Sequence, residues 1–497
     1  MNAQISRLAL AALTLIAALV VATTYWQTWA AAGLADRQDN AIQRVAEFTI
    51  KRGLILTESP RALLAANFAR KVKGETLYFR RYPAGGLAAQ TVGYSTQVRS
   101  RAGLEESLNS YLTASNSNLD TILRRTIDDI RGVTITGNDV VLTLRPRAQA
   151  LALNLLGSNC GAVVALDPRN GKVLVLASSP TYDPNLAERD FGAIRRIRAA
   201  CPLPAPLLDR GTAGLYTPGS TFKVVTAAAA LDSGRLTPQS PFNDPGYCIE
   251  YGRPIFNAGN PDQGANAYGS VSFFQGLEYS INSVFCNTGK LIGARVILDY
   301  AKRFGFYRDA PLETPADERR PSGLYKGGKL FDPEDPATQV DPGRLAFGQE
   351  RLQVTPLQMA MVAAAIANRG VLMRPYVVDR IVAPSGKVVT RTKPRKYGEP
   401  IKPKTAAEIT AMMQAVVTGG TGTAAQIPGI SVAGKTGTAE TGQAGVHTTS
   451  FIAFAPADRP RVAVAVFLEQ QSGAGGTTAA PIAKSVMQAL LAVPSNS

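Results

Sequence analysis

Histidine is almost missing: His447 is the one histidine in 497 residues. No cluster of imidazoles can therefore build a zinc centre. The cysteines, Cys160, Cys201, Cys248 and Cys286, are spaced too widely for a CxxC metal knuckle or a thioredoxin-type pair. Neither metal nor cofactor is expected. An even cysteine count outside the cytoplasm permits two disulfides, and four buried thiols is the alternative the sequence leaves open. There is also no internal repeat and no long low-complexity run, which removes solenoid and disordered-tail readings. Charged residues make up 18% against 45% hydrophobic. That is ample apolar material for packed domains, and the length suggests on the order of three units at ~150 residues each.

Acidic charge is in deficit. Lys and Arg number 53 against 37 Asp and Glu, a net +16. The positive charge is scattered: Arg195-Arg196-Ile197-Arg198 and Lys402-Pro403-Lys404 lack an aromatic-rich strand pair or finger spacing beside them. An anionic membrane or wall polymer fits this pattern better than nucleic acid, which is not expected as a partner. No charge interrupts Leu8–Ala35, Arg7 stands just before it, and Tyr25, Trp26 and Trp29 gather at its far end. About 20 apolar residues span the hydrocarbon, with cations inside and aromatics at the opposite interface. The run reads as a single-pass anchor with the bulk of the chain outside. A cleaved secretory signal ending near Ala30-Ala31-Ala32 is the competing reading, although the apolar stretch exceeds a ~7–15-residue signal core.

The sequence implies an α+β chain: residues 1–6 a cytoplasmic stub, 7–30 the anchor, 31–150 a mixed pedestal, and 151–497 a larger domain. In the pedestal, strand-like pieces (Glu75-Thr76-Leu77-Tyr78-Phe79 and Val140-Val141-Leu142-Thr143-Leu144) alternate with a helical stretch near Leu119–Ile130. The larger domain opens with a hairpin, Gly161–Leu166 and Lys172–Ala177 around a Pro/Gly turn. Helices are predicted from Ser220 through Leu231, over Thr355–Asn368 and near Pro481–Leu491. A strand is predicted over Arg461–Leu468.

Three short motifs carry chemistry. Ser220 and Lys223 lie three apart at a helix start, so their side chains share a face and the amine can take the hydroxyl proton. The positive end of the helix helps a developing alkoxide. Ser280-Ile281-Asn282 alone is weak, as Ser107-Leu108-Asn109 in the same chain shows. In Lys435-Thr436-Gly437-Thr438, a strand puts both threonine hydroxyls on one face, and Gly437 removes a side chain that would hold a substrate backbone away.

Taken together and in this order, the three motifs resemble the set shared by penicillin-binding proteins and serine β-lactamases. Further segments resemble the class B, monofunctional penicillin-binding proteins of the actinobacterial penicillin-binding protein A group. These are Arg52-Gly53-Leu54-Ile55, Gly103-Leu104-Glu105, Val141–Leu144 with Gln149, Asp183-Pro184-Asn185, Gly348-Gln349, Val354–Gln358 and Ala367–Gly370. Glu350 stands where many relatives carry glycine, a departure expected to lie away from the chemistry. The resemblance implies a transpeptidase domain with an antiparallel sheet flanked by helices. It implies that Ser220 attacks the penultimate D-Ala carbonyl of a peptidoglycan stem peptide with Lys223 as base. Ser280 and Lys435 would then relay a proton to the leaving amine, Asn282 would hold the substrate amide, and Thr436, Gly437 and Thr438 would form the carboxylate subsite. The Ser220 and Thr438 N–H groups would make the oxyanion hole. β-Lactams are implied as acylating inhibitors. The stretch before the larger domain is too short for a glycan-polymerising domain, so a polytopic membrane polymerase is implied as partner.

Other readings share some residues. A Ser-His-Asp hydrolase would have to use His447 and has no Gly-x-Ser-x-Gly elbow. A D,D-carboxypeptidase would pass the acyl group to water. A non-catalytic sensor or division scaffold would keep the fold alone. A class A β-lactamase would need a glutamate opening a Glu-x-x-x-Asn pattern between the second and third motifs; Glu313, Glu318, Glu334, Glu350, Glu399 and Glu408 all lie there and none does.

Overall fold

The computed structural model describes residues 2–25, 47–57, 61–97, 100–116, 119–258, 266–441 and 443–492. Helix α1 (Asn2–Tyr25) contains a 22-residue segment, Gln4–Tyr25, of mean hydropathy 2.3. At 1.5 Å per residue it is about 33 Å long, enough to cross a membrane. Trp26, Trp29 and Ala30-Ala31-Ala32, on which the far interface and the cleavage alternative turn, lie outside the described residues.

After α1, β1 (Ile55–Thr57) is followed by the hairpin β2 (Leu63–Val72) and β3 (Glu75–Arg81). Lys73 and Gly74 turn this hairpin with φ of 50° and 89°, the left-handed pair that matches strand twist in a two-residue turn. Helix α2 (Leu119–Ile130) and strand β4 (Asp139–Leu142) come next. The two motifs named in this region are joined by charge. Buried Glu105 meets Arg52 at 2.9 Å and Arg80 at 2.6 Å. Burial alone would raise the Glu105 carboxyl, but the two guanidiniums hold it below its ordinary value.

Helix α3 (Pro146–Leu156) leads into the predicted hairpin, β5 (Gly161–Leu166) and β6 (Val173–Ser179). Beyond it come α4 (Lys223–Asp232), α5 (Asn282–Ile292) and α6 (Pro356–Ala367). All twelve residues of α6 are buried, which explains its apolar character on every face. The strands β7 (Val378–Val382) and β8 (Val388–Arg391) precede α7 (Pro403–Thr418). Three long strands, β9 (Ala433–Glu440), β10 (His447–Ala455) and β11 (Val462–Gln471), then lead to α8 (Gly475–Leu491). This last helix begins six residues before Pro481, which sits inside it rather than at its start.

Two sheets organise the fold. One is fully antiparallel with order β9-β10-β11-β5-β6. Its strands alternate faces: Val163, Ala165 and Val464 pack with α3 and α8, while Val164, Leu166 and Phe467 pack with α4 and α6. The other has order β8-β7-β4-β1-β2-β3 and draws β7 and β8 from far down the chain. Both cysteine pairs, Cys160–Cys201 and Cys248–Cys286, are disulfide-bonded, which settles the alternative the sequence left open.

Candidate active site

Ser220 lies in a short 3-10 turn, Gly219–Phe222, that feeds α4 at Lys223. The sequence had placed it in the α-helix itself. The tighter turn eclipses positions i and i+3, so Ser220 and Lys223 still share a side. Gly219 has φ +54°, and a Cβ there would meet the Thr438 carbonyl oxygen at 3.0 Å. Its N–H donates to the Gly348 carbonyl at 3.1 Å. Gly348 also needs φ +81°, and a Cβ on it would strike the Gly219 carbonyl. The loop carrying Glu350 is therefore seated on the Ser220 turn, closer to the chemistry than expected. Glu350 and Arg351 hold φ of 58° and 62°, the left-handed region that glycine adopts most readily.

Four of the candidate polar side chains converge. Lys223 is fully buried, and its Nζ lies 2.7 Å from the Ser280 carbonyl, 2.7 Å from Asn282 Oδ1 and 3.3 Å from Ser280 Oγ. Asn282 is oriented by donating Nδ2–H to the Phe256 carbonyl at 2.9 Å. Lys435, equally buried, donates to Ser280 Oγ at 2.8 Å. Ser280 thus sits between two amines, on a backbone with φ +60°. The Phe285 ring lies under Lys223 Nζ at 5.4 Å from its centroid. No Ser220–Lys223 hydrogen bond is formed.

Among the described residues no carboxylate pairs with either lysine. Burial, then the charge of Lys435, push Lys223 well below the ordinary lysine value, and burial brings Lys435 down to about 7. A neutral Lys223 has two N–H donors. These satisfy the Ser280 carbonyl and Asn282 Oδ1 and leave a lone pair for a hydroxyl proton.

β9 is an edge strand of its sheet, so its outer backbone groups are open to an added chain. Thr436 and Thr438 share one face of it, as alternation requires. Thr436 Oγ1 lies 2.6 Å from Thr421 Oγ1, and Thr438 Oγ1 accepts the Gly475 N–H at 3.1 Å. Each arrangement leaves one hydroxyl proton to donate. Gly437 has another reason for being glycine than the one read from the sequence. A Cβ there would meet Ser450 Oγ at 2.3 Å and the Pro218 carbonyl at 2.8 Å. It lets the nucleophile's own turn approach β9. Sequence reasoning missed Thr421, Gly475 and the Phe256 carbonyl; the run Gly419-Gly420-Thr421-Gly422 was the available signal for the first. His447 begins β10 opposite Glu440, makes no hydrogen bond to this cluster, and its buried Nδ1 has no partner among the described residues.

Residues 161–488 match the penicillin binding protein transpeptidase domain, and residues 52–140 match the penicillin binding protein A dimerisation domain. The chain is 34% identical to the peptidoglycan D,D-transpeptidase PbpA of Mycolicibacterium smegmatis, over 99% of each chain, and 34% identical to its Mycobacterium tuberculosis counterpart, again over 99% of each. It superposes with TM-score 0.78 on penicillin-binding protein A from M. tuberculosis in a ceftriaxone acyl-enzyme complex, at 31% identity, covering 90% of this chain and 100% of the other. The imipenem acyl-enzyme complex of the same protein gives TM-score 0.77 at 32% identity, covering 90% of this chain and 99% of that one.

Proposed function

Because the chain belongs to the penicillin-binding protein transpeptidase family, we propose that it is a serine D,D-transpeptidase that cross-links peptidoglycan stem peptides through an acyl-enzyme on Ser220. The observation that carries the reading is the pair of buried lysines, neither countered by a carboxylate among the described residues, that meet at Ser280 Oγ. Neutral Lys223 takes the Ser220 proton as the hydroxyl oxygen bonds to the penultimate D-Ala carbonyl carbon. The resulting oxyanion is held by the N–H groups of Ser220 and Thr438, worth about 10²–10³ in rate per donor. As the carbon–nitrogen bond breaks, the proton passes by way of Ser280, flanked by Lys435, to the departing D-Ala amine. An amine from a neighbouring stem then attacks the ester and restores the Ser220 hydroxyl.

The substrate lies along the open edge of β9, with its amide on Asn282 and its carboxylate on the Thr436 and Thr438 hydroxyls, which Gly437 holds beside Ser220. β-Lactams acylate the same serine. The assignment places residues 1–6 in the cytoplasm, 7–30 in the membrane, and the pedestal (31–150) and transpeptidase domain (151–497) outside. A polytopic membrane glycan polymerase is the partner.

Labelling the full chain with a fluorescent penicillin and mapping the labelled peptide tests this. The label should sit on Ser220 and vanish in Ser220→Ala, and a D-Ala-D-Ala thioester analogue should transfer to a D-amino-acid acceptor. Labelling of a folded Ser220→Ala chain overturns the nucleophile. Free D-Ala release from pentapeptide without acceptor product overturns transpeptidation in favour of carboxypeptidation.

A further inference from the structure

Half of the net charge is concentrated in one short stretch. From Arg369 to Lys404 the chain has ten Lys and Arg against two acids, Asp379 and Glu399, a net +8 out of +16. The fold gathers this stretch at one margin of the molecule. β8 is the outer strand of the six-stranded sheet, and Thr392 continues it by one residue, its N–H donating to the Asp379 carbonyl of β7 at 2.8 Å. Arg391, Lys393 and Arg395 are exposed at alternate positions as the chain leaves β8. Exposed Arg374 joins them, its N–H donating to the Arg395 carbonyl at 2.8 Å.

The two acids are already used. Asp379 is shared by Lys172 at 3.0 Å, Arg380 at 2.7 Å and Arg391 at 3.6 Å, and Glu399 takes Lys396 at 2.8 Å. Lys393 and Arg395 form no ion pair among the described residues, while the charge of Arg374 acts on the Glu313 carboxyl. Guarding a sheet edge against strand pairing calls for a charge or a proline, and Pro394 supplies one. The surplus cations are not explained by that role.

We infer that this edge docks an extended phosphodiester polymer, whose regularly spaced anions meet the ladder of Arg391, Lys393 and Arg395. The ladder lies at the margin of the six-stranded sheet opposite β3. The chain arrives at the other margin of the sheet, where the Phe48 carbonyl accepts the Tyr78 N–H of β3 at 2.7 Å. Five strand spacings, about 24 Å, lie between the two edges, roughly three Debye lengths at physiological salt.

The test uses the full chain in detergent with poly(glycerol phosphate) as probe. Arg391→Glu/Lys393→Glu/Arg395→Glu should bind about 100-fold more weakly at about 0.15 M salt, and its log–log salt slope should fall by about two to three. The milder Lys393→Gln/Arg395→Gln should lose about 20-fold, which keeps the test sound if the triple variant misfolds. Fluorescent-penicillin labelling should be unchanged in both. Arg195→Glu/Arg196→Glu/Arg198→Glu, with the same charge change elsewhere, should keep the polymer affinity. Absence of binding by the unaltered chain, equal loss in this control, or equally tight edge-dependent binding to phosphatidylglycerol–phosphatidylcholine vesicles would each overturn the inference.

Discussion

At the scale of single residues, the division of labour between the two buried lysines can be measured. Lys223→Met, which keeps the volume of the stem, should lower the rate of penicillin acylation by about 10²–10⁴ if Lys223 is the base. His447→Ala should leave it within a few-fold; the opposite ranking in stopped-flow acylation would move the base to His447. The pH profile supplies a signed check. The positive charge of Lys435 is one cause of the depressed Lys223 value, so Lys435→Met should let that value rise and move the acid limb of acylation to higher pH. A limb that stays in place or moves to lower pH contradicts the coupling. Ser220, Lys223, Ser280, Asn282 and Lys435 stood out as candidates because the three motifs occur together and in order, and four of these side chains converge. Thr421 left only the glycine-rich run around it as a trace, because its bond to Thr436 joins residues brought together only when the turn before the strand folds back. The reason for Gly437 was likewise hidden, since the atoms that exclude a Cβ belong to Pro218 and Ser450.

At the scale of elements, the Ser220 turn and β9 form a contact with no spare room. Gly437→Ala should cost about 1–3 kcal/mol of stability, the usual range for overpacking, and acylation should fall because the turn is pushed off the strand. Adding Ser450→Ala removes the movable obstacle but not the Pro218 carbonyl, so calorimetry and labelling of the double variant should show partial rescue only. Full rescue would mean that the turn itself is indifferent to β9. The sequence disclosed the elements whose pattern is local: the β5–β6 hairpin, the apolar α6 and the helix over Leu119–Ile130. It did not disclose that β7 crosses into the six-stranded sheet, because Val378–Val382 reads the same whichever sheet it joins, and its pairing with β4 is a purely long-range event.

At the scale of the whole molecule, the seam between pedestal and catalytic region should respond to pH. Glu318 accepts the Gly103 N–H at 2.9 Å across it. Burial, with the nearby charges of Glu106, Asp209 and Asp317, raises its carboxyl to about 7. The folded chain then holds a proton between about pH 4.5 and 7 that the unfolded chain has released, so this contribution to stability weakens as pH rises through that window. Glu318→Gln should flatten that slope in urea-unfolding midpoints, and an unchanged slope would assign it elsewhere. The six-stranded sheet also fixes an order of events during synthesis. Thr143, just past β4, and Val377, just before β7, are 234 residues apart. At ~5–20 residues per second a ribosome needs roughly 10 to 50 s to cover that distance. Throughout that interval the β4 edge waits without its neighbour, a nascent surface that a chaperone has time to find and that a stalled ribosome would leave open.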